Sequence, residues 1–157
     1  MSTYFSYLKI QDITLVITAD ENALISITRG DNLKKECTNA ITKQAKVELA
    51  EFFAGSRKFF SVAFNPVGSA FDKKVWQAIR EIPYGETRSY AQIASAIGNS
   101  QASRAVGNSC HSNPLPFIIP CHRVIKTSGA LGNYGFGSSL KKYLLTLEHN
   151  SMVKEEV

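Results

Sequence analysis

Three runs near the N-terminus, Tyr4–Ile10, Ile13–Ala19 and Ala23–Thr28, are rich in β-branched and aromatic residues. The polar pairs Gln11-Asp12 and Glu21-Asn22 break them. This texture predicts a small antiparallel sheet of consecutive hairpins. From Asn39 to Ala54 the apolar positions fall at 41, 45, 49, 52 and 53. That spacing predicts an amphipathic helix, ended by Gly55. Phe59–Phe64 reads as a short strand and Asn65-Pro66-Val67-Gly68 as a linker.

Beyond the linker the pattern turns helical. Ser69 with Asp72 forms a capping box, and Phe71, Val75, Ile79 and Ile82 line one helix face before Pro83. A second capping box, Ser89 with Gln92, opens "SYAQIASAIG", which Gly98 closes. The polar turn Asn99-Ser100-Gln101 then leads into a helix over roughly Ala102 to Ser109. Two short helices joined by a tight, Gly-containing turn follow the helix-turn-helix pattern, and plain helical hairpins share it. Arg104, near the start of the second helix, is placed either to contact DNA or simply to be solvated. The reading is an α+β chain in two domains. Residues 1–65 form a small N-terminal antiparallel sheet with a helix, and residues 66–157 form a helical domain of helix-turn-helix type.

Composition narrows the class. The chain of 157 residues is 44% hydrophobic, enough for a core, and no apolar run approaches the length of a membrane span. The first twelve residues carry no secretory signature. Cys37, Cys110 and Cys121 are odd in number and widely spaced, which points to a reducing, intracellular and cytoplasmic setting. Residues 1–56 hold six Lys/Arg against seven Asp/Glu, whereas residues 57–157 hold twelve against six. The whole positive excess therefore sits in the C-terminal part, as a nucleic-acid footprint requires; a solvated basic surface would look the same.

"IIPCHRVI", Ile118 to Ile125, sets Cys, His and Arg inside a run whose pattern asks for a buried strand. A thiol reacts as its thiolate, and burial alone penalises that form, so Cys121 needs a base. His122 is next in sequence. Neighbours on an extended chain point to opposite sides, so a bridging water is the simpler link. Glu148 is the candidate to orient the histidine. It ends the expected helix Ser139–Glu148, whose stripe of Leu140, Tyr143, Leu144 and Leu147 is expected to face the core. A carboxylate at a helix C-terminus opposes the macrodipole at ~0.3–1 kcal/mol, which a partner would offset. Core packing of a lone cysteine is the competing reading.

"IPCHRVI", preceded by "RAVGNSCHSNP" and "IPYGETRSYAQIA" and followed by "GALGNYGFG", closely resembles the O6-alkylguanine-DNA alkyltransferases. The likeness is dense from Phe71 to Glu148. It implies DNA repair by direct reversal: Cys121 takes an alkyl group, chiefly methyl, from O6-alkylguanine, and also from O4-alkylthymine, and keeps it. His122 would act through water as base, Glu148 would orient His122, and Asn113 would hold the turn presenting the thiol. Tyr90 would press the nucleotide out of the duplex and help protonate the departing guanine, while Arg104 fills the gap. The resemblance also places Ser89, Ala102 and Ala105 at the DNA, and Pro116, Val124, Tyr134, Gly135 and Phe136 around the pocket. It implies double-stranded DNA carrying the lesion as partner, no membrane, no cofactor, and action as a monomer. Whether several copies assemble cooperatively on DNA is left open.

Two departures stand out. Human-type members hold zinc in their N-terminal part. Here only Cys37 precedes the first histidine, His111, so no four-ligand site forms there and no metal is expected. Phe136 replaces a glycine found at the pocket lip of some relatives. Cys110 and His111 read as spacing and packing. Two other functions fit parts of the pattern: an alkyltransferase-like protein that binds the lesion without transfer, whose reactive cysteine would be replaced, and a helix-turn-helix regulator with a structural Cys-His pair.

Overall fold

The computed structural model describes residues 2–31 and 34–156, the side chains of 155 and 156 excepted. The chain divides into two compact units, Met1–Val67 and Gly68–Val157.

In the first unit the three expected strands form, as β1 (Tyr4–Ile10), β2 (Ile13–Ala19) and β3 (Leu24–Arg29), an antiparallel sheet in the order β1-β2-β3. Ile10 pairs with Ile13, so Gln11-Asp12 is a two-residue turn, and Gln11 takes a φ of 56° to close it. Helix α1 (Ala40–Phe53) begins at Asn39, whose side chain accepts from the Thr42 amide while the Thr42 hydroxyl accepts from the Asn39 amide. Its inner face, Ala45, Leu49 and Phe52, and the sheet residues Leu15, Ile17 and Leu24 are fully buried.

The strand expected at Phe59–Phe64 does not form. Phe64 makes one isolated parallel bridge to Leu24, and upstream the backbone has another acceptor. Buried Glu48 of α1 takes the amides of Ser61 and Val62 at 2.8 and 3.2 Å and the Ser61 hydroxyl at 2.6 Å. A carboxylate removed from water takes every donor in reach. Those amides are then lost to a ladder.

The second unit comprises α2 (Ala70–Arg80), the two-residue β4 (Arg88–Ser89), α3 (Tyr90–Ala96), α4 (Ser103–His111), a 3-10 turn (Cys121–Arg123), β5 (Val124–Ile125) and α5 (Ser138–Glu156). Both capping boxes read from the sequence are present, Ser69 with Asp72 and Ser89 with Gln92. Gly98 leaves α3 at a φ of 81°, and Ala102, after a backbone bond to Asn99, opens α4. The pair α3–α4 is the helix-turn-helix element. Trp76 of α2 donates its indole N–H to the Ser109 carbonyl at 2.8 Å, and the Ser109 hydroxyl donates to Asp72 at 2.7 Å. Those bonds lock α4 onto α2 around a core of Val75, Ile79, Val106, Leu115 and Ile119. β4 and β5 pair in parallel, Arg88 with Val124 and Ser89 with Ile125.

The segment 118–125 is not one strand. Cys121 and Arg123 donate backbone bonds to Ile119 and Pro120, winding the trio into a turn before the two-residue β5. The last helix also departs from expectation. It continues to Glu156, so Glu148 lies in its interior and does not oppose a terminus. Its buried stripe is Leu140, Lys141, Leu144 and Glu148; Leu147 is half-buried and Tyr143 is exposed. Two charges replace two apolar residues on that face because each finds a fixed partner inside. Among the described residues, no helix is long and apolar enough to cross a membrane.

Candidate active site

Cys121 is 5% exposed and sits in the turn that follows Pro120. Its position is set from behind by Asn113, which lies two residues past the end of α4. The Asn113 side-chain oxygen accepts the Leu115 amide at 2.9 Å, which fixes the amide's orientation. Its nitrogen then donates to the Ile119 carbonyl at 2.9 Å and to Cys121 Sγ at 3.1 Å. A hydrogen bond to sulfur favours the thiolate. Phe117, between them, holds a φ of 75°, a left-handed backbone that a bulky residue rarely adopts, and the surrounding bonds enforce it.

His122 is fully buried, and its Nε2 lies 2.6 Å from Glu148 Oε2. Glu148 accepts further bonds from Arg123, Nε at 2.8 Å to Oε1 and Nη2 at 3.0 Å to Oε2, and from the Gly85 amide at 3.1 Å. Arg123 Nη1 donates to the Ile82 carbonyl at 3.0 Å. Burial pushes the Glu148 carboxyl up, but His122 and Arg123 more than reverse this and hold it at about 2. Burial lowers His122, against the pull of Glu148, with Arg123 and Lys141 adding to the lowering. An ionised Glu148 beside a neutral imidazole keeps the proton on Nε2 and leaves Nδ1 as the basic nitrogen.

The Cys121 thiol is pushed well up, first by the Cys110 thiol facing it and then by burial, while Asn113 and Lys141 pull it down. Lys141 is fully buried. It donates from Nζ to the Val124 carbonyl at 2.7 Å, with the Tyr90 and Tyr134 ring centroids 6.0 and 5.9 Å away. Burial lowers its affinity for a proton, and Cys110 and Cys121 oppose that. The arrangement is a neutral thiol with a cation ready to receive its charge, beside a neutral histidine backed by a carboxylate. It suits nucleophilic attack by sulfur after loss of one proton.

Tyr90, the first residue of α3, is half-buried against α4. Burial, then Cys110 and Cys121, push its phenol up to about 12, so it keeps its proton. A Cβ at Gly132 would stand 3.0 Å from the Tyr90 hydroxyl, and Gly132 has a φ of 78°. Only glycine meets both conditions. The Tyr134 hydroxyl is buried with no hydrogen-bond partner among the described residues and is pushed well up by burial, Cys121 and Glu148. Phe136 lies 5.4 Å from Phe117 and 6.1 Å from Tyr134, ring to ring. Pro116 and Val124 are buried, and Gly135 is exposed.

The structure thus brings Cys121, His122, Glu148, Asn113, Tyr90 and Tyr134 together. Ser89 caps α3 with its hydroxyl, which accepts the Gln92 amide at 3.0 Å. Ala102 is buried at the start of α4, Ala105 is half-buried, and Arg104 is exposed with its guanidinium in no hydrogen bond or ion pair among the described residues. Arg123 and Lys141 are the residues that sequence reasoning missed. The arginine had a signal, since a cation beside His122 in an apolar run needs a buried anion and Glu148 was at hand. Among the described residues, no three His, Cys, Asp or Glu side chains gather as a metal site.

This geometry has close relatives. Residues 70–150 match the family described as "6-O-methylguanine DNA methyltransferase, DNA binding domain". A methylated-DNA–protein-cysteine methyltransferase of Methanosarcina acetivorans is 50% identical over 106 residues, 68% of each chain. The crystal structure of the Mycobacterium tuberculosis O6-methylguanine methyltransferase superposes with a TM-score of 0.85 at 33% identity, covering 96% of this chain and 94% of that one. The Mycobacterium tuberculosis protein OGT in complex with DNA gives 0.84 at 34% identity, covering 94% and 93%. The matched segment spans every residue of the Cys121 cluster, and on that ground the chain belongs to the 6-O-methylguanine DNA methyltransferase family.

Proposed function

We propose that this protein repairs alkylated DNA by moving an alkyl group, chiefly methyl, from O6 of guanine to Cys121, once per molecule. The observation that carries the reading is the Asn113–Cys121 contact at 3.1 Å beside the His122–Glu148 pair at 2.6 Å. His122 takes the thiol proton, directly or through a water, and becomes an imidazolium facing the Glu148 carboxylate. The Cys121 sulfur attacks the alkyl carbon. As the S–C bond forms, the C–O6 bond breaks and its electron pair passes into the guanine. Tyr90, kept protonated, hydrogen-bonds to the purine that accepts this charge and helps to protonate it at N3. The thioether has no leaving group that water displaces at neutral pH, so the molecule is spent.

A base inside a duplex cannot reach a sulfur this deeply buried, so the nucleotide must swing out. The basic C-terminal part, the exposed Arg104 on α4 and the relatives' association with DNA support α3–α4 as the DNA-facing element, with residues 66–157 as the domain that acts. Pro116, Val124, Tyr134, Gly135 and Phe136 would surround the extruded base, with the same site taking O4-alkylthymine. One copy carries the full set of residues, which supports action as a monomer.

Incubation with a methylated duplex followed by intact-mass measurement tests this. We expect one methyl per molecule, located on Cys121, and none on Cys121→Ala. Tight binding to the lesion with no mass gain would instead establish a lesion-binding protein. Sustained turnover would exclude the stoichiometric mechanism.

A further inference from the structure

The connector from α2 to β4 meets the Arg123–Glu148 pair at three points. The Ile82 carbonyl accepts from Arg123 Nη1 at 3.0 Å. The Tyr84 ring faces the guanidinium, whose carbon lies 5.4 Å from the ring centroid. The Gly85 amide donates to Glu148 Oε1 at 3.1 Å. Arg123 Nε shares Oε1 with it, while Arg123 Nη2 and His122 Nε2 lie on Oε2. The Gly85 partner differs from the others in being backbone, so its direction depends on the form of one turn.

Residues 83–86 make that turn. Glu86 donates its amide to the Pro83 carbonyl at 3.1 Å. Gly85 holds a φ of 84°, while Tyr84 has a negative φ. A positive φ at the third position alone marks a type II turn, which takes Gly or Asn there. Types I and II differ by a flip of the central peptide, here the one joining Tyr84 to Gly85. In the type II form its N–H faces Glu148; in the type I form the Tyr84 carbonyl oxygen would face the carboxylate. Space sets a second condition on the same residue. A Cβ on Gly85 would overlap Met152 Cγ. Met152 lies four residues beyond Glu148 on α5, and residues four apart share a helix face.

We propose that Gly85 is a positioning residue for the proton transfer: its amide, turned inward by the type II geometry, holds Glu148 ionised and aligned on His122. The consequence for repair rests on the reading of His122 as base to Cys121; the effect of Gly85 on the imidazole does not. A hydrogen bond to the charged form of a carboxyl favours that form. Flipping the peptide removes the donor and sets a carbonyl dipole against a buried carboxylate. Glu148 then takes up a proton or withdraws from the ring. In both cases His122 loses the anion that raises its basicity, so alkylation moves to higher pH.

The test separates room from backbone geometry. Met152→Ala opens space beside Gly85 and serves as the reference. Gly85→Ala added to it meets no overlap but places alanine at a disfavoured φ, whereas Gly85→Asn places there a residue that accepts the left-handed region. Both leave Glu148, Arg123 and Lys141, the charged groups around His122, in place. The full chain is followed by the pH–rate profile of methyl transfer from a free alkylated base and by ring-nitrogen NMR of His122. For the alanine variant we expect transfer slowed ~10–100-fold, the range for groups that orient a functional histidine. Its profile should move to higher pH, and mixed ring tautomers should replace the single Nε2–H form. The asparagine variant should match the reference in both measurements. An alanine variant that keeps the reference profile and tautomer, or an asparagine variant that loses as much as alanine, overturns the proposal. Should these variants not fold, the wild-type Gly85 amide decides. Its resonance should move with the same midpoint as the His122 ring, because both bond one carboxylate; a resonance indifferent to that titration overturns the proposal. If wild-type protein transfers no methyl, the acceptor reading fails by itself, and the ring tautomer still decides the role of Gly85.

Discussion

Arg123 grips Glu148 with two nitrogens on two oxygens, at 2.8 and 3.0 Å, in the interior of the second unit. The pair fixes the carboxylate that in turn holds His122, so one planar contact supports both the fold and the base.

Its first expected outcome concerns acid stability. The Glu148 carboxyl lies at about 2 in the fold against an ordinary 4.5. A depressed carboxyl contributes stability that is present above the ordinary value and lost as pH falls through the folded one. His122, lowered from 6.5, acts in the same direction, since its protonation favours the unfolded chain. Urea denaturation should therefore show ~3 kcal/mol lost between neutral pH and the acid limit. Arg123→Met, which leaves the carboxylate without its bidentate partner, should cost ~3–5 kcal/mol at neutral pH. A stability curve flat through that acid range would remove Glu148 as the controlling group.

A second concerns the base. His122→Ala should slow alkylation by ~10²–10⁴-fold. Glu148→Gln removes the pull that raises the imidazole, weakens the base, leaves Cys121 less ionised, and should move the alkylation profile to higher pH. The check is the pH–rate profile with a free alkylated base. Identical profiles for wild type and both variants would refute proton transfer through this pair.

DNA handling separates from chemistry. Arg104→Ala should slow repair in a duplex far more than reaction with a free alkylated base, which needs no extrusion, whereas Tyr90→Phe, which removes the proton donor and keeps the ring, should slow both. Duplex binding should weaken with salt, with a logarithmic slope of ~0.9 per phosphate neutralised. Equal losses on the two substrates for Arg104→Ala would remove Arg104 from nucleotide extrusion, and an unchanged rate with the free base for Tyr90→Phe would remove the phenol from proton donation.

The pocket lip gives a fourth. The Phe136 ring lies against Phe117 and Tyr134 at 5.4 and 6.1 Å. Swinging it aside would forfeit aromatic contacts of ~0.5–1.5 kcal/mol each, and leaving it in place costs overlap with a large adduct of ~1–3 kcal/mol. Wild type should react faster with methylated than with benzylated guanine, and Phe136→Gly should narrow the ratio of rates. A wild-type preference for benzyl that the glycine variant loses would make Phe136 a stacking platform.

What the sequence disclosed was what its near neighbours decide. The Ser69–Asp72 and Ser89–Gln92 boxes close within three residues, and both helices start where those boxes put them. Cys121, His122 and Glu148 were readable as a set because a thiol needs a base and a base needs an anchor. Three readings failed where a distant group intervened. Glu48 drew the Ser61 and Val62 amides away from a strand. Glu148 reads as a helix end only if its buried partners are unknown. Lys141 reads as a surface lysine in any periodic pattern, because only the fold brings the Val124 carbonyl to its nitrogen. Tyr143, by the same logic, was assigned to the face that Lys141 occupies.

The two rungs between β4 and β5 tie Arg88 and Ser89, immediately before Tyr90, to Val124 and Ile125, just past the Cys121 turn. Lys141 fastens Val124 a second time. Phenol and sulfur are therefore mounted on one short splice of backbone and work like the jaws of a gauge set to a single width. On the proposed function, an incoming base would be measured against that opening and not wrapped by a closing one. Selectivity among adducts then acts through what the gap admits, and adjusting that gap requires changing the splice itself as well as the side chains that project from it.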